Sequence, residues 1–204
     1  HSKIIETDYT HYNYPSAQGG WISSAKFTKL TIGEGIEKIG SYAFADCDSI
    51  TSVIIGDIVT SIGKGAFAAC DSITSAIIGN NVTSIGNSAF DDCSSLTSVT
   101  IGDSVTKIGS YAFYGCSNLT SVTIPYSVTS IGSEAFYGCS SLTSVTIPDS
   151  VTSIGDYAFL GCNSLKEVYC KPTTPPTGDY DMFDDNAPDR TIYVPRNSVS
   201  AYKS

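Results

Sequence analysis

The sequence predicts an α/β solenoid, mainly β: a right-handed, curved stack of 23-residue coils built on a parallel β-sheet and closed by short helical or 3₁₀ turns. Three observations carry this. Apolar residues recur with a period of 23 over most of the 204 residues. Within each period, one short stretch alternates apolar and polar residues, as a strand with one buried face does. A unit of 23 residues is also too short to enclose a core alone, so its apolar side must be covered by the next copy.

The five full units read ITSVIIGDIVTSIGKGAFAAC, ITSAIIGNNVTSIGNSAFDDC, LTSVTIGDSVTKIGSYAFYGC, LTSVTIPYSVTSIGSEAFYGC and LTSVTIPDSVTSIGDYAFLGC, each followed by two polar residues. A partial unit, FTKLTIGEGIEKIGSYAFADC, precedes them, and LKEVYCKPTTPPT begins a degenerate one. Counted from the first Leu or Ile, apolar residues fall at positions 1, 4, 6, 10, 13, 17, 18 and 21. Positions 4 and 6 alternate with polar 3 and 5, which predicts a strand such as SVTI that Gly or Pro at position 7 terminates. Stacked coils place these strands in parallel register, ~4.8 Å apart. Positions 10 and 13, in VTSIG, form a second, shorter extended segment, and positions 15 to 20, as in SYAFYG, turn the chain around Ala and Phe.

Position 14 is Gly in Gly40, Gly63, Gly86, Gly109, Gly132 and Gly155, which calls for either a positive φ or a close approach between coils. Phe44, Phe67, Phe90, Phe113, Phe136 and Phe159 are expected to stack in one internal file. Cys47, Cys70, Cys93, Cys116, Cys139 and Cys162 follow the same period. Neighbouring Cys on adjacent coils point their Cβ atoms in parallel, which is poor disulfide geometry, so buried free thiols are expected. The spacing does not resemble the close Cys pairs that enclose zinc, and no metal is expected.

The ends depart from the repeat. Residues 1–26 form a leader and N-terminal cap, with Trp21 expected over the first coil; residues 27–168 form the solenoid; residues 169–204 form a degenerate repeat and C-terminal cap. In that last part Phe183 matches the repeated Phe and TIYVP matches positions 3 to 7, with one extra residue in the register.

Composition narrows the function. Charged residues are 15% of the chain, and 11 Lys plus Arg against 20 Asp plus Glu give a net charge of −9. That charge repels phosphate backbones and anionic lipid, so nucleic acid is not an expected partner. No stretch approaches the roughly 20 apolar residues that span a bilayer. The chain opens at His1 without an initiator Met, so the lack of a signal sequence is no argument for the cytoplasm. The only His residues, His1 and His11, fall in the leader, leaving no His base for a Ser or Cys nucleophile in the coils. No phosphate-binding loop or dinucleotide fingerprint is present, and an enzyme and a cofactor are not expected.

The phrase L-x-x-V-x-I-P-x-S-V-x-x-I-G-x-x-A-F-x-x-C, running over residues 27–168, resembles the repeat of the BspA-like leucine-rich repeat family of surface and secreted proteins, notably from gut and oral bacteria of Bacteroides type. The tail VYCKPTTPP and then IYVPRNSVSAYKS is similar to the ends of such proteins. The resemblance implies a leucine-rich-type solenoid exported to the surface or medium, with a non-catalytic role in adhesion to a host or microbial surface protein or glycan. A monomer is expected, and a structural spacer projecting another domain is the alternative. The Asn that ends the strand in better-known leucine-rich repeats is missing, so rules for that Asn ladder do not carry over.

Two surfaces are candidates for partner binding. On the turn side, position 16 supplies Tyr42, Tyr111 and Tyr157, while position 19 supplies Tyr114, Tyr137 and Leu160. Exposed Tyr is enriched at interface hot spots, whereas half-buried packing between turns is the plainer reading. On the sheet, position 5 supplies Ile54, Ile77, Thr100, Thr123 and Thr146 beside a row of Ser at position 3. A Ser and Thr ladder also serves simply as a soluble sheet face. Asp57, Asp103 and Asp149 at position 8 lack the dense carboxylate loop that calcium requires.

Overall fold

The computed structural model describes residues 3–5, 27–178 and 180–203. Trp21 and both His residues lie outside these. The described chain coils into a solenoid in which every strand pairing is parallel. Lys29–Ile32, Ser52–Ile55, Ser75–Ile78, Ser98–Thr100 and Ser121–Val122 form a long-strand sheet, with Leu30, Val53, Ala76, Val99 and Val122 in one register file. Ser144–Ile147, Glu167–Cys170 and Thr191–Tyr193 form a three-stranded sheet of the same residue positions. A second, seven-stranded sheet runs Lys3–Ile5, Ile36–Ile39, Ser61–Ile62, Ser84–Ile85, Lys107–Ile108, Ser130–Ile131 and Ser153–Ile154. Thr177 extends it by a parallel bridge to Ser153.

The long-strand sheet divides between Ser121–Val122 and Ser144–Ile147 for a local reason. At position 7 of the first full coil, Gly56 carries the ladder on by donating its N–H to the Ile32 carbonyl at 2.8 Å. Pro125 and Pro148 occupy that position in two successive coils and have no N–H to give. Lys171 restores the rung by donating to Ile147 at 2.9 Å. The seven-stranded sheet and the internal ring file pass the division without a break.

Each turn is closed by i→i+3 hydrogen bonds, such as Tyr114 N–H to the Tyr111 carbonyl at 3.2 Å, and also bonded across coils. Positions 16, 18 and 20 donate to positions 15, 17 and 19 of the next coil; the Phe N–H groups of Phe44, Phe67, Phe90, Phe113 and Phe136 each reach the following Ala carbonyl at 2.8 Å. Donors committed to a neighbouring coil cannot serve an i→i−4 ladder, so the turns stay single tight turns. Among the described residues, 3₁₀ helices occur only at Tyr180–Phe183 and Arg196–Ser198, and there is no α-helix. This geometry puts position 16 at positive φ in Tyr42 (56°), Gly65 (60°), Ser88 (55°), Tyr111 (60°), Glu134 (56°) and Tyr157 (58°).

Gly at position 14 answers to crowding instead. A Cβ on Gly132 would stand 2.4 Å from Ser110 N and 2.6 Å from Gly109 C, backbone atoms of the coil before it. The interior is one continuous apolar cluster from Ile32 to Cys170. Its spine is a file of Phe rings, with centroids 5.0 to 5.4 Å apart and planes within 14° of parallel, from Phe44 through Phe159 to Phe183.

All seven thiols are free and buried. Those of Cys70, Cys93, Cys116, Cys139 and Cys162 each donate to the Phe carbonyl of the preceding coil, at 3.0 to 3.3 Å. The Cys file therefore provides a compact donor for a carbonyl shut away from water. In the last coil Asn186 replaces Cys, and its Nδ2 donates to the Phe159 carbonyl at 2.8 Å. Arg190 closes the stack, its guanidinium 5.7 Å from the Phe183 ring centre and bonded to the Phe183 carbonyl and to Asn186 Oδ1. The strand after it pairs Glu167 with Thr191, a step of 24 that includes the expected extra residue.

Candidate functional site: the tyrosine turns and the hydroxyl face of the sheet

The turn-side aromatics stand on the backbone just described. Ala and Phe at positions 17 and 18 of each turn fill the core; position 19 is buried in the early turns, at Ala45, Ala68 and Asp91, and only in the last three coils do positions 16 and 19 both reach the surface. Tyr111 and Tyr157 are both 39% exposed; Tyr114, Tyr137 and Leu160 are half-buried. Tyr114 stacks on Tyr137 with centroids 4.8 Å apart and planes 8° from parallel, and Tyr111 leans on Tyr114 at 5.7 Å. Three of the expected residues thus form one cluster. Tyr157 and Leu160 continue the two files one coil further on.

Glu134 is the member that the pattern of tyrosines did not reveal. It holds position 16 between Tyr111 and Tyr157, and Tyr111 Oη donates to its Oε1 at 2.7 Å. That hydrogen bond, more than burial, raises the Tyr111 hydroxyl above the usual phenol range. Burial first, then the neighbouring Tyr137, raises Tyr114. Both phenols therefore remain protonated donors through the neutral range. Tyr42 lies apart from the cluster, with Lys64 5.8 Å from its ring centre.

On the long-strand sheet, Thr31, Ile54, Ile77 and Thr100 lie in one register file, and Thr146, Tyr169 and Tyr193 continue the same position. Thr100, Thr123 and Thr146 are exposed, as is Ile77 at 46%, while Ile54 is half-buried. Tyr169 and Tyr193 end the row with rings stacked at 4.7 Å and 9°. Both positions follow from the amino-acid order, Tyr169 at 23 residues from Thr146 and Tyr193 within TIYVP, but the stacking of the two rings is seen only once the coils are in register.

Position 8 makes a ladder of its own. Asp57 Oδ1 accepts the Asn80 N–H at 2.6 Å, and Asn80 Oδ1 accepts the Asp103 N–H at 3.3 Å. Among the described residues no group of three or more His, Cys, Asp or Glu is placed to hold a metal ion. No helix among them is long and apolar enough to cross a membrane.

The model of the BspA type leucine rich repeat region matches six copies, over residues 21–106 and 83–200. Among solved structures, a leucine rich repeat protein of T. pallidum is 30% identical with a TM-score of 0.68, covering 71% of this chain and 70% of that one. A leucine-rich repeat protein from Bacteroides ovatus is 29% identical with a TM-score of 0.73, over 86% of this chain and 44% of its own. A leucine rich cell surface protein from Faecalibacterium prausnitzii is 34% identical with a TM-score of 0.51, over 72% and 48%. The chain therefore spans less than half the length of the last two. Among the curated proteins none matches. The solenoid these proteins share is a non-catalytic scaffold of the kind that serves protein–protein interaction. With repeat, register and turn all in agreement, the chain belongs to the BspA-type leucine-rich repeat family.

Proposed function

We propose that the protein is a non-catalytic recognition and adhesion module, held at a bacterial surface or released from it, which contacts a protein of a host matrix or of another cell. The observation that carries this reading is the turn-side cluster of Tyr111, Tyr114 and Tyr137, whose centroids lie 5.7 and 4.8 Å apart. Tyr combines large contact area with few rotatable bonds and a polar tip, the properties of an interface anchor. Its neighbours Tyr157 and Leu160 widen the patch over a third coil. A surface location is supported by similarity to a protein described as a leucine rich cell surface protein.

Surface plasmon resonance of the chain over fibronectin, fibrinogen and collagen tests the reading. Saturable binding that weakens about tenfold or more in the double variant Tyr114→Ala, Tyr137→Ala is the expected result. Unchanged binding in that variant removes the patch from the contact. A second reading, a spacer that carries another domain outward, is favoured by the relatives whose chains run to more than twice the matched length. Absence of any saturable partner for the isolated chain supports the spacer.

A further inference from the structure

We infer that the outward face of the sheet, from Ser98 to the Tyr169–Tyr193 pair, is a binding surface for a neutral glycan lying along the solenoid axis. This rests on the recognition reading and assigns a second surface and a different chemistry to it. The first support is how the protein uses its hydroxyls. The position 2 threonines Thr51, Thr74, Thr97 and Thr120 each donate Oγ1 to the backbone carbonyl of the preceding coil's position 2 residue, at 2.9 to 3.3 Å. At position 11, Thr60, Thr83, Thr106, Thr129 and Thr152 do the same at 3.0 to 3.2 Å. These hydroxyls hold coil to coil. Those of Ser98, Thr100, Ser121, Thr123, Ser144 and Thr146, by contrast, have no hydrogen-bond partner among the described residues. They recur as one Ser and one Thr per coil, at a strand spacing of ~4.8 Å within each sheet that approximates the rise of one hexose in an extended chain, with the division of the sheet falling between Ser121 and Ser144.

Charge and shape select the class of ligand. From Ser52 to Thr146 no charged residue occurs at positions 3 or 5, and the chain as a whole carries −9. Sulfated or uronate-rich polysaccharide is repelled by that charge, whereas a neutral sugar is indifferent to it. Over these three coils positions 3 and 5 carry no apolar side chain, since Ile54 and Ile77 lie on earlier coils, and the exposed aromatic beside them is the lone Tyr126 at position 8. The face ends on an aromatic pair. Tyr169 covers one face of the Tyr193 ring, and Tyr193 remains 44% exposed for the apolar C–H face of a sugar. Glu167, exposed at position 3 of that coil, adds a charged acceptor for a sugar hydroxyl.

The test is titration calorimetry of the full chain against three probes: cellohexaose and mannohexaose as neutral, extended β-1,4-linked glycans, and heparin as the anionic one. Expected are saturable binding of a neutral probe that is insensitive to salt, and none of heparin. Thr123→Val with Thr146→Val removes two hydroxyls while keeping shape and β propensity, and weakens that binding about tenfold or more. Tyr193→Ala weakens it by a similar factor, with Lys107→Ala, on the other sheet, as an unaffected control. Thermal unfolding of each variant within a few degrees of the parent shows that the face, not the fold, was changed.

Failure of both neutral probes, or binding within twofold of the parent in the double Val variant, overturns the inference. If matrix proteins bind through Tyr114 and Tyr137 while neutral glycans do not, the glycan face falls and the adhesion module stands. If neither class binds, both readings fall together.

Discussion

Phe113 lies at the middle of the ring file and is fully buried, with neighbours Phe90 at 5.4 Å and Phe136 at 5.3 Å. Replacing it by Ala removes a benzyl group that two parallel neighbours hold in place, so the site has little freedom to collapse. Loss of transfer free energy plus the cavity costs about 3 to 5 kcal/mol, and the two lost ring contacts move the value toward the upper end. For a chain of this length that lowers Tm by roughly 6 to 20 °C. Phe183 supplies the internal comparison, since it is half-buried and has one ring neighbour, Phe159 at 5.4 Å. Its truncation is expected to cost about half as much. Urea unfolding followed by far-UV circular dichroism measures both, and amide exchange at Phe90 and Phe113, which donate to Ala112 and Ala135 at 2.8 Å, shows whether the coils around the gap open first. A loss below about 1 kcal/mol in Phe113→Ala, or equal losses at the two sites, refutes the stacked spine.

The close approach of coils at position 14 predicts a graded response to the same substitution at three glycines. Gly132→Ala puts Cβ within 2.7 Å of backbone atoms and is expected to cost about 2 to 3 kcal/mol. Gly138→Ala, with φ at +68° and its nearest atom at 3.9 Å, costs about 1 kcal/mol through backbone strain alone, and Gly33→Ala, with nothing within 4 Å, is near neutral. Chemical denaturation ranks the three, and any other order counts against crowding as the cause. The thiols give a pH prediction. Burial pushes Cys162 from 9.0 up to about 12, so the folded state favours the protonated thiol. Its contribution to stability is complete below pH 9 and is lost as pH rises from about 9 through 12. Melting temperatures between pH 7 and 10.5 are expected to hold and then fall. Thiol titration of the native protein near pH 8 should proceed slowly, with Cys47 and Cys170, each pushed only to about 11, ahead of the four most deeply buried central thiols. Rapid reaction of Cys116 or flat stability across pH 9 contradicts this placement.

The repeat, the parallel files, the Phe stack, the free thiols and the extra residue before the last strand were all legible in the amino-acid order. The reason is that stacking copies of one coil converts a linear period into spatial contact, so Phe113 must meet Phe136 once the strands are in register. The two surfaces were legible only as rows of residue types. Tyr111, Tyr114, Tyr137 and Tyr157 fell on the turns by count, yet the partnership of Tyr111 with Glu134 depends on neighbouring coils placing both at position 16.

What tertiary structure alone decided follows from competition for hydrogen bonds. Whether segments such as SYAFYG would become helix or turn depended on where their N–H groups found acceptors, and the next coil supplied them. The same contest left the hydroxyls of Thr100, Thr123 and Thr146 facing outward while those of Thr97 and Thr106 bind the coil before them. It also put Asn186 and Arg190 where another Cys and another Phe would have been. A one-dimensional period determines which side chains lie over one another; which polar group answers which is settled only when the coils are in contact and water is excluded between them.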